Sequence, residues 1–225
     1  MYNMPGRPIP LATGEIYHVF NRGLDHRQTF LRKRDYKRAS EALAYYRFVN
    51  PPLRLAYFYT LSYDRKELFL ENLHQHKTHA DVLAYCLMPN HFHLILRQRE
   101  DRGISKFLSN YQNSYTRYFN TKNQRIGSLF LDQFKAVRIE TDVQILYVSR
   151  YIHLNPFKSF VVKSLSELYL YPWSSLPEYM KKKSGLCDTT TILTYFKTRQ
   201  QYVEFVTDQA DYQRNLNNIK HLSLD

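Results

Sequence analysis

The stretch that decides the fold is VLAYCLMPNHFHLILR, residues 82–97. Both of its halves are apolar and rich in side chains that favour strands. Between them, Met88-Pro89-Asn90 is typical of a tight turn. The pattern therefore predicts two buried strands, paired as a hairpin at the centre of a sheet.

The segments around this hairpin alternate between strand and helix patterns. Residues 15–21 are β-branched and aromatic, and Asn21-Arg22-Gly23 breaks them, which predicts a strand and a turn. Apolar residues spaced by three and four predict helices elsewhere. The predicted elements are a helix over 34–48, a helical insertion over 53–80, a helix over 103–121, an extended stretch over 127–139, and a helix that begins at Thr141 or Asp142 and ends at Asn155-Pro156.

The order of these elements predicts the fold class. Strand, helix, strand, strand, helix, strand is the ferredoxin-like arrangement, an α+β fold whose antiparallel sheet carries helices on one face. We predict this domain over 14–165, with the helical insertion at about 53–80. Shorter helices around 172–180, 191–196 and 200–208 form a predicted C-terminal helical extension over 166–225.

Composition narrows the class of protein. The 225 residues carry 32 Lys and Arg against 20 Asp and Glu, a net charge of +12. A basic chain with 20 tyrosines favours nucleic acid as the partner. Two cysteines exclude a disulfide scaffold and fit a reducing cytoplasm. No apolar run is long enough for a membrane span, so we expect no membrane partner and a cytoplasmic, nucleoid-associated location.

The strand pattern places two histidines on one face. Because side chains alternate along a strand, His91 and His93 point one way, while Phe92 points into the core. Such a pair is half of a site for a divalent metal, since neutral imidazole is available at pH 7. By itself the pair is a weak signal, because it often arises by chance.

The third predicted helix supplies further candidates. Tyr151 and Asn155 are four residues apart and share one face. The amide oxygen of Asn155 would complete a three-ligand site with open positions, an arrangement that suits Mg²⁺ or Mn²⁺ better than a closed structural zinc site. Tyr151 is the predicted nucleophile toward a phosphate. Tyr147 lies on the same face one turn before Tyr151 and is the alternative nucleophile, though it is two turns from the proposed ligand Asn155.

Several basic residues flank this predicted site. Arg22, Lys135, Arg138 and Arg150 are candidate DNA-binding contacts to phosphate, and each could equally be a surface charge. His18 shares a strand face with Ile16 and Phe20, which favours a structural role. A zinc hydrolase built on the histidine pair would need a further carboxylate or histidine ligand that the sequence does not place.

Two blocks resemble the signature of a known family. They are similar to blocks of the REP-associated tyrosine transposases. The first is Met88-Pro89-Asn90-His91-Phe92-His93-Leu94, and the second is Arg150-Tyr151-Ile152-His153-Leu154-Asn155-Pro156. These are single-tyrosine transposases of the His-hydrophobe-His class. Further similarity includes the run Tyr17–Gly23, and the resemblance covers most of 14–206.

The resemblance implies a function. Such proteins bind short hairpin-forming DNA and cut one strand near the foot of the hairpin, leaving a 5′-phosphotyrosine and a free 3′-hydroxyl without ATP. His91 and His93 fall on the family's metal pair, Tyr151 on its nucleophile and Asn155 on its third ligand. The implied partners are single-stranded DNA and hairpins of repetitive palindromic elements, bound by a monomer or homodimer. The alternative is a catalytically silent DNA or RNA hairpin-binding protein derived from a transposase.

Two runs depart from the family pattern. Gln133-Phe134-Lys135 stands where the family usually has Arg-Phe-Lys. After Asn155-Pro156 the chain continues with Phe157-Lys158-Ser159-Phe160 instead of the common Ala-Gly-containing run. Neither departure touches the residues assigned to the chemistry, so both bear on contacts to DNA.

Overall fold

The structure is a computed structural model that describes residues 10–181, 185–208 and 210. Its strands are β1 (Ile16–Arg22), β2 (Ala80–Met88), β3 (His91–Gln98) and β4 (Lys135–Ile139). Its helices are α1 (Lys33–Tyr46), α2 (Leu55–Phe58), α3 (Tyr63–Leu73), α4 (Gly103–Lys122), α5 (Asp142–Lys158), α6 (Leu165–Tyr169), α7 (Leu176–Met180), α8 (Thr190–Leu193) and α9 (Arg199–Thr207).

The four strands form one antiparallel sheet in the order β2-β3-β1-β4. With α1 between β1 and β2, and α4 between β3 and β4, this is the ferredoxin-like topology that the sequence predicts. The predicted hairpin is β2 and β3, joined at Pro89-Asn90. The fold class is therefore confirmed, with β3 and β1 as the two central strands.

The register of the two central strands separates the faces of the sheet. His91 lies opposite Arg22, and His93 lies opposite Phe20, so these four side chains share one face. The alternate residues of β3, with Phe92 among them, are fully buried on the other face. The alternation expected of the His-hydrophobe-His run is therefore present.

Helices α1 and α4 cover the face that carries Phe92. Helix α4 buries an apolar stripe spaced by three and four, which includes Tyr111 and Tyr115. Phe92 meets Tyr111 edge to face, with ring centroids 5.5 Å apart. As predicted, both helices of the first six elements lie on one side of the sheet.

Helix α5 and the C-terminal helices cover the opposite face. Ile152 and Leu154 of α5 join one buried cluster with Ile95 of β3 and with Tyr179 and Tyr202 of the C-terminal helices. The histidine pair lies on this side. The helices predicted around 172–180, 191–196 and 200–208 are present as α7, α8 and α9, and they share a core with the sheet. Residues 211–225 of the predicted extension lie outside the described residues, and the boundary at 165 stays a prediction.

Helix α5 is longer than expected. The sequence predicts its end at Asn155-Pro156, yet the helix continues to Lys158 with Pro156 inside it. Proline lacks an N–H and so removes one helical hydrogen bond, but this loss falls in the last turn. There the backbone N–H of Ser159 still donates to the carbonyl of Asn155 at 2.9 Å. The continued helix places Lys158 on the same helical face as Tyr151, two turns further along.

Two other segments differ in detail from the prediction. The stretch expected to be extended over 127–139 forms a strand only at Lys135–Ile139, and before it Phe130 makes an isolated bridge to Gly23. The insertion is helical, as α2 and α3, but Ala80 at its end already belongs to β2. Within the described ranges, no helix has the length and apolarity needed to cross a membrane.

Candidate active site

The two histidines of β3 are each held through the same ring nitrogen. Nδ1 of His91 lies 2.6 Å from the amide oxygen of Asn90, to which it donates. Nδ1 of His93 lies 3.0 Å from Nε2 of His18. If Nδ1–H of His93 is the donor in that bond, both Nε2 atoms keep a free lone pair. This is the tautomer pattern of metal-binding histidines.

Burial keeps these imidazoles neutral at physiological pH. Desolvation lowers the pKa of His91 and of His18 to about 4. The pKa of His93 falls well below its usual 6.5 because of burial and then of its two histidine neighbours. A neutral ring is the form that ligates a cation, so the cluster is in its ligating state at pH 7.

Tyr151 faces this cluster from α5. The side chain of Thr141 caps the helix by accepting from the backbone N–H of Gln144. The ring of Tyr151 meets the ring of His93 edge to face, with centroids 5.4 Å apart, and is 37% exposed. The hydroxyl therefore has access to a substrate while its ring contacts a predicted metal ligand.

The phenol of Tyr151 is held by Asn155 one helical turn later. Burial raises the pKa of Tyr151, and its hydrogen bond with Asn155 acts in the opposite direction. Asn155 is buried, and its side-chain oxygen accepts from the hydroxyl of Ser159 at 3.1 Å. The contacts thus link His91, His93, Tyr151 and Asn155 in one chain of neighbours.

The alternative tyrosine lies elsewhere. Tyr147 is exposed, and its ring contacts Phe205 and the guanidinium of Arg150. His153, also on α5, is buried and bonds to the hydroxyls of Tyr202 and Ser175 at 2.6 and 2.7 Å. Of these α5 side chains, Tyr151 is the one that lies against the histidines.

The donor set fits a divalent cation with open positions. Among the residues that the structure describes, no three His, Cys, Asp or Glu side chains converge as metal ligands. The donors present are the two imidazoles and the side-chain amide oxygen of Asn155, which is linked to His93 through Tyr151. The amide oxygen of Asn155 has two lone pairs, so the bond from Ser159 leaves one available. Two nitrogens and one oxygen leave room for water and phosphate oxygens, as Mg²⁺ and Mn²⁺ prefer.

The four candidate DNA contacts divide into two pairs. Arg22 and Lys135 lie on the histidine face, opposite His91 and Phe20 in the strand register, and both are exposed. Arg138 lies on the other face, in an ion pair with Glu15 at 2.9 Å.

Arg150 does not join the site either. It is 7% exposed, and its guanidinium lies 3.8 Å from the ring centroid of Phe205. Successive residues on a helix are rotated by about 100° around its axis, so Arg150 points away from Tyr151 and toward α9.

Sequence reasoning missed two side chains at the site. His18, expected to be structural, bonds to His93 and lies 6.1 Å from the ring of Tyr151 by centroids. Lys158 has its ammonium 5.4 Å from the ring centroid of Tyr151. Lys158 is seven residues after Tyr151, which is two helical turns, so the two side chains share a face of α5. The sequence does not predict this contact, because Pro156 predicts that the helix ends before Lys158.

Comparisons with known proteins identify the family. The model of the family described as "Transposase IS200 like" matches residues 40–155, just over half of the chain. The chain therefore belongs to the IS200-like transposase family. The match includes His91, His93, Tyr151 and Asn155.

A solved structure shares the fold. It is the structure of a REP-associated tyrosine transposase bound to a REP hairpin, with a TM-score of 0.52 and 15% identity. The similarity covers 78% of this chain and 84% of that one. The comparison with curated protein sequences finds no match.

Proposed function

We propose that this transposase-family chain is a metal-dependent single-stranded DNA endonuclease and strand transferase that cuts near DNA hairpins through Tyr151. The observation that carries the proposal is the edge contact of the Tyr151 ring with His93, whose Nδ1 is paired with His18. Membership of a transposase family agrees with this chemistry. Mg²⁺ or Mn²⁺ is the proposed cofactor.

The proposed reaction is a transesterification at phosphorus. The phenol oxygen of Tyr151 forms a bond to the phosphorus of one phosphodiester, and the bond from that phosphorus to the 3′ oxygen breaks. The phenol proton passes to solvent water as the new bond forms, and the departing 3′ oxygen takes up a proton from water to become a 3′-hydroxyl. The 5′-phosphotyrosine keeps the energy of the bond, so a later 3′-hydroxyl can reverse the step and transfer the strand.

The chain's own side chains prepare this step. Burial raises the pKa of Tyr151 and so disfavours the phenolate, while its hydrogen bond with Asn155 favours the phenolate. His91, His93 and Asn155 would hold the cation. A bound cation supplies Lewis-acid polarisation of the phosphate and charge stabilisation in the transition state. Lys158 brings a positive charge to the nucleophile's ring, beside the incoming phosphate.

The proposed substrate is single-stranded DNA next to a hairpin, because the fold is shared with a hairpin-bound transposase and the chain carries a net charge of +12. Arg22 and Lys135, which lie on the histidine face, are the proposed phosphate contacts near the cut. Tyr151 and His93 meet within one chain, so a single copy holds the parts needed for cleavage.

The test is denaturing electrophoresis of the protein with 3′-labelled hairpin oligonucleotides that carry single-stranded flanks, with and without Mn²⁺. The label remains on the strand joined to the enzyme, so wild type should give a slowly migrating covalent band in Mn²⁺. Tyr151→Phe should give none, while the matched Tyr147→Phe should give a band of wild-type strength. Both variants lose one hydroxyl on the same helix.

Other outcomes would overturn the proposal. Cleavage that persists in Tyr151→Phe would assign the attack to water or another residue. Hairpin binding without cleavage across a wide set of sequences, with no Mn²⁺ bound, would make the protein a catalytically silent hairpin binder.

A further inference from the structure

Helix α5 ends at an exposed aromatic residue whose backbone is left-handed. Phe160 has a φ of +57° and is 46% exposed. Its N–H donates to the carbonyl of Phe157 at 3.2 Å, and the N–H of Val161 donates to the carbonyl of Pro156 at 2.9 Å. These two bonds form a Schellman motif, in which the left-handed residue is usually glycine because a Cβ is strained there.

Phenylalanine is an unfavourable residue for this position. Six non-glycine residues in the described ranges have a positive φ, and apart from Phe160 all are polar or charged: Asp25, His26, Asn50, Arg102 and Gln124. A phenyl ring has no polar atom that could bond to the nearby backbone and offset the strain. Nearly half of the residue also remains in water. Glycine would remove the strain, so stability does not account for the ring, and strain that is kept at an exposed position points to a function.

Phe160 lies beside the residues of the candidate active site. Two residues before it, the ammonium of Lys158 lies 5.4 Å from the ring centroid of Tyr151. One residue before it, the hydroxyl of Ser159 donates to the side-chain oxygen of Asn155, which in turn bonds to Tyr151. The chain therefore passes directly from the side chains at the nucleophile to the exposed ring.

The neighbours of this ring along the chain are cationic. Lys158 precedes Phe160 by two residues, and the exposed Lys163 follows it by three. A single strand that reaches Tyr151 brings its phosphates to these ammonium groups. Proteins hold unpaired nucleotides in this way, with cations along the backbone and an exposed ring under a base. In a duplex each base is already stacked on its neighbours, so the ring suits unpaired bases.

We propose that the ring of Phe160 stacks on an unpaired base of the single strand that is cut at Tyr151. This inference rests on the proposed function, which supplies the single strand as the ligand. From Tyr151 to Lys158 the helix rises about 10 Å, at 1.5 Å per residue, so the stacked base belongs to a nucleotide near the cut phosphodiester and not to the one that is attacked. Stacking tolerates every base, so the contact adds affinity and orientation with little choice of sequence.

The test measures the binding of a fluorescein-labelled oligonucleotide of mixed sequence without self-complementarity. Anisotropy is recorded in EDTA, where the proposed metal-dependent cleavage does not run. Phe160→Ala removes the ring and keeps the strained backbone, Phe160→Gly removes both, and Phe160→Trp keeps a ring. The control is Tyr63→Ala, which removes a ring that is 77% exposed at the start of α3. Thermal unfolding is measured for every variant.

The expected result is an affinity that follows the ring and not the stability. One stacked base is worth roughly 5- to 150-fold in affinity, so Phe160→Ala and Phe160→Gly should both bind more weakly by a factor in that range. Phe160→Gly should nevertheless unfold at a higher temperature than Phe160→Ala, because glycine accepts the left-handed backbone. Tyr63→Ala should bind like wild type.

Two further readouts separate stacking from a structural role. Phe160→Trp should keep the wild-type affinity within about twofold, and the strand should quench its indole fluorescence beyond any change of Trp173, the single tryptophan of wild type. The slope of log affinity against log salt should be equal in all variants, because stacking on a base releases no counter-ions.

Wild-type affinity in Phe160→Ala and Phe160→Gly would overturn the proposal, as would an equal loss in Phe160→Trp or in Tyr63→Ala. The adduct assay on hairpins with Mn²⁺ keeps this apart from the proposed function. Wild type that forms an adduct, with a strand affinity that ignores the ring, would refute the stacking alone. Wild type that forms no adduct would refute the chemistry at Tyr151, while the anisotropy in EDTA still decides whether the ring binds a base.

Discussion

The hydrogen bond between His18 and His93 gives a prediction about metal affinity. Without metal, a His93 that has lost its partner can move its proton from Nδ1 to Nε2. A cation bound at Nε2 of His93 requires the proton to be on Nδ1. In His18→Leu this Nδ1–H has lost the acceptor that His18 provided. The His93 ring is only 6% exposed, so water does not replace that acceptor. An unpaired buried donor costs about 1–3 kcal/mol, and lost partners of metal-bound histidines cost roughly 10- to 100-fold in affinity. We expect His18→Leu to bind Mn²⁺ about 10- to 100-fold more weakly.

The assay is calorimetric titration with Mn²⁺, paired with thermal unfolding of the metal-free protein. His18→Gln, whose side-chain oxygen can accept in place of Nε2, should recover most of the affinity. Tyr17→Phe is the control, since Tyr17 lies on the other face of β1 and its hydroxyl accepts from the backbone of Ala12. His18→Leu that binds Mn²⁺ like wild type, or an equal loss in Tyr17→Phe, would refute the reasoning.

Three further predictions follow from the site and the core. Lys158→Met should lower the single-turnover cleavage rate roughly 10- to 100-fold, which is the worth of one charge-assisted contact. Arg138→Met, on the other face of the sheet, is the control and should change that rate less than about twofold. Mixing Tyr151→Phe with His93→Ala should restore no adduct, because both parts act within one chain; a restored band would show a site shared between copies. Asp35→Asn should lower the free energy of unfolding by about 3 kcal/mol in urea titrations, because it breaks a buried pair with Lys122.

The pH dependence of that last effect has a definite sign. Burial acts to raise the pKa of Asp35, but the hydrogen bonds from Lys122, Tyr118 and the backbone outweigh it and leave the pKa below its ordinary 3.8. The carboxylate's contribution is therefore complete above pH 3.8 and is lost as the pH falls through the lowered value. Urea midpoints measured from pH 7 down to 3 should converge for wild type and Asp35→Asn. A constant gap across that range would contradict this.

The hairpin at 82–97 allowed the core of the fold to be predicted, because alternation in a buried strand fixes which side chains share a face. The pairing of Tyr151 with Asn155 followed from helical spacing in the same way. The place of His18 did not, because its contact with His93 depends on which strands are neighbours in the sheet. Lys158 was missed because Pro156 predicts a helix end, and one lost hydrogen bond in a last turn packed on the sheet does not suffice to end it.

The basic residues show a different limit. Arg138 and Arg150 are close to the site in sequence, yet alternation along β4 and rotation along α5 turn them away from it. Conversely, Arg54 and Arg117 are far apart in sequence, yet both line one depression between α1 and α4 in the folded chain. Charge supports the proposed class of partner, while the place of each charge needed the tertiary structure.

The identity of the nucleophile can be read directly from the covalent adduct. Trypsin cleaves after Arg150 and Lys158, so Tyr151 falls in the peptide YIHLNPFK as its sole tyrosine, and Tyr147 falls in IETDVQILYVSR. After nuclease digestion of the bound DNA, tandem mass spectrometry should find a nucleotide 5′-phosphate ester on YIHLNPFK. The same modification on IETDVQILYVSR, or on any peptide other than YIHLNPFK, would contradict the account.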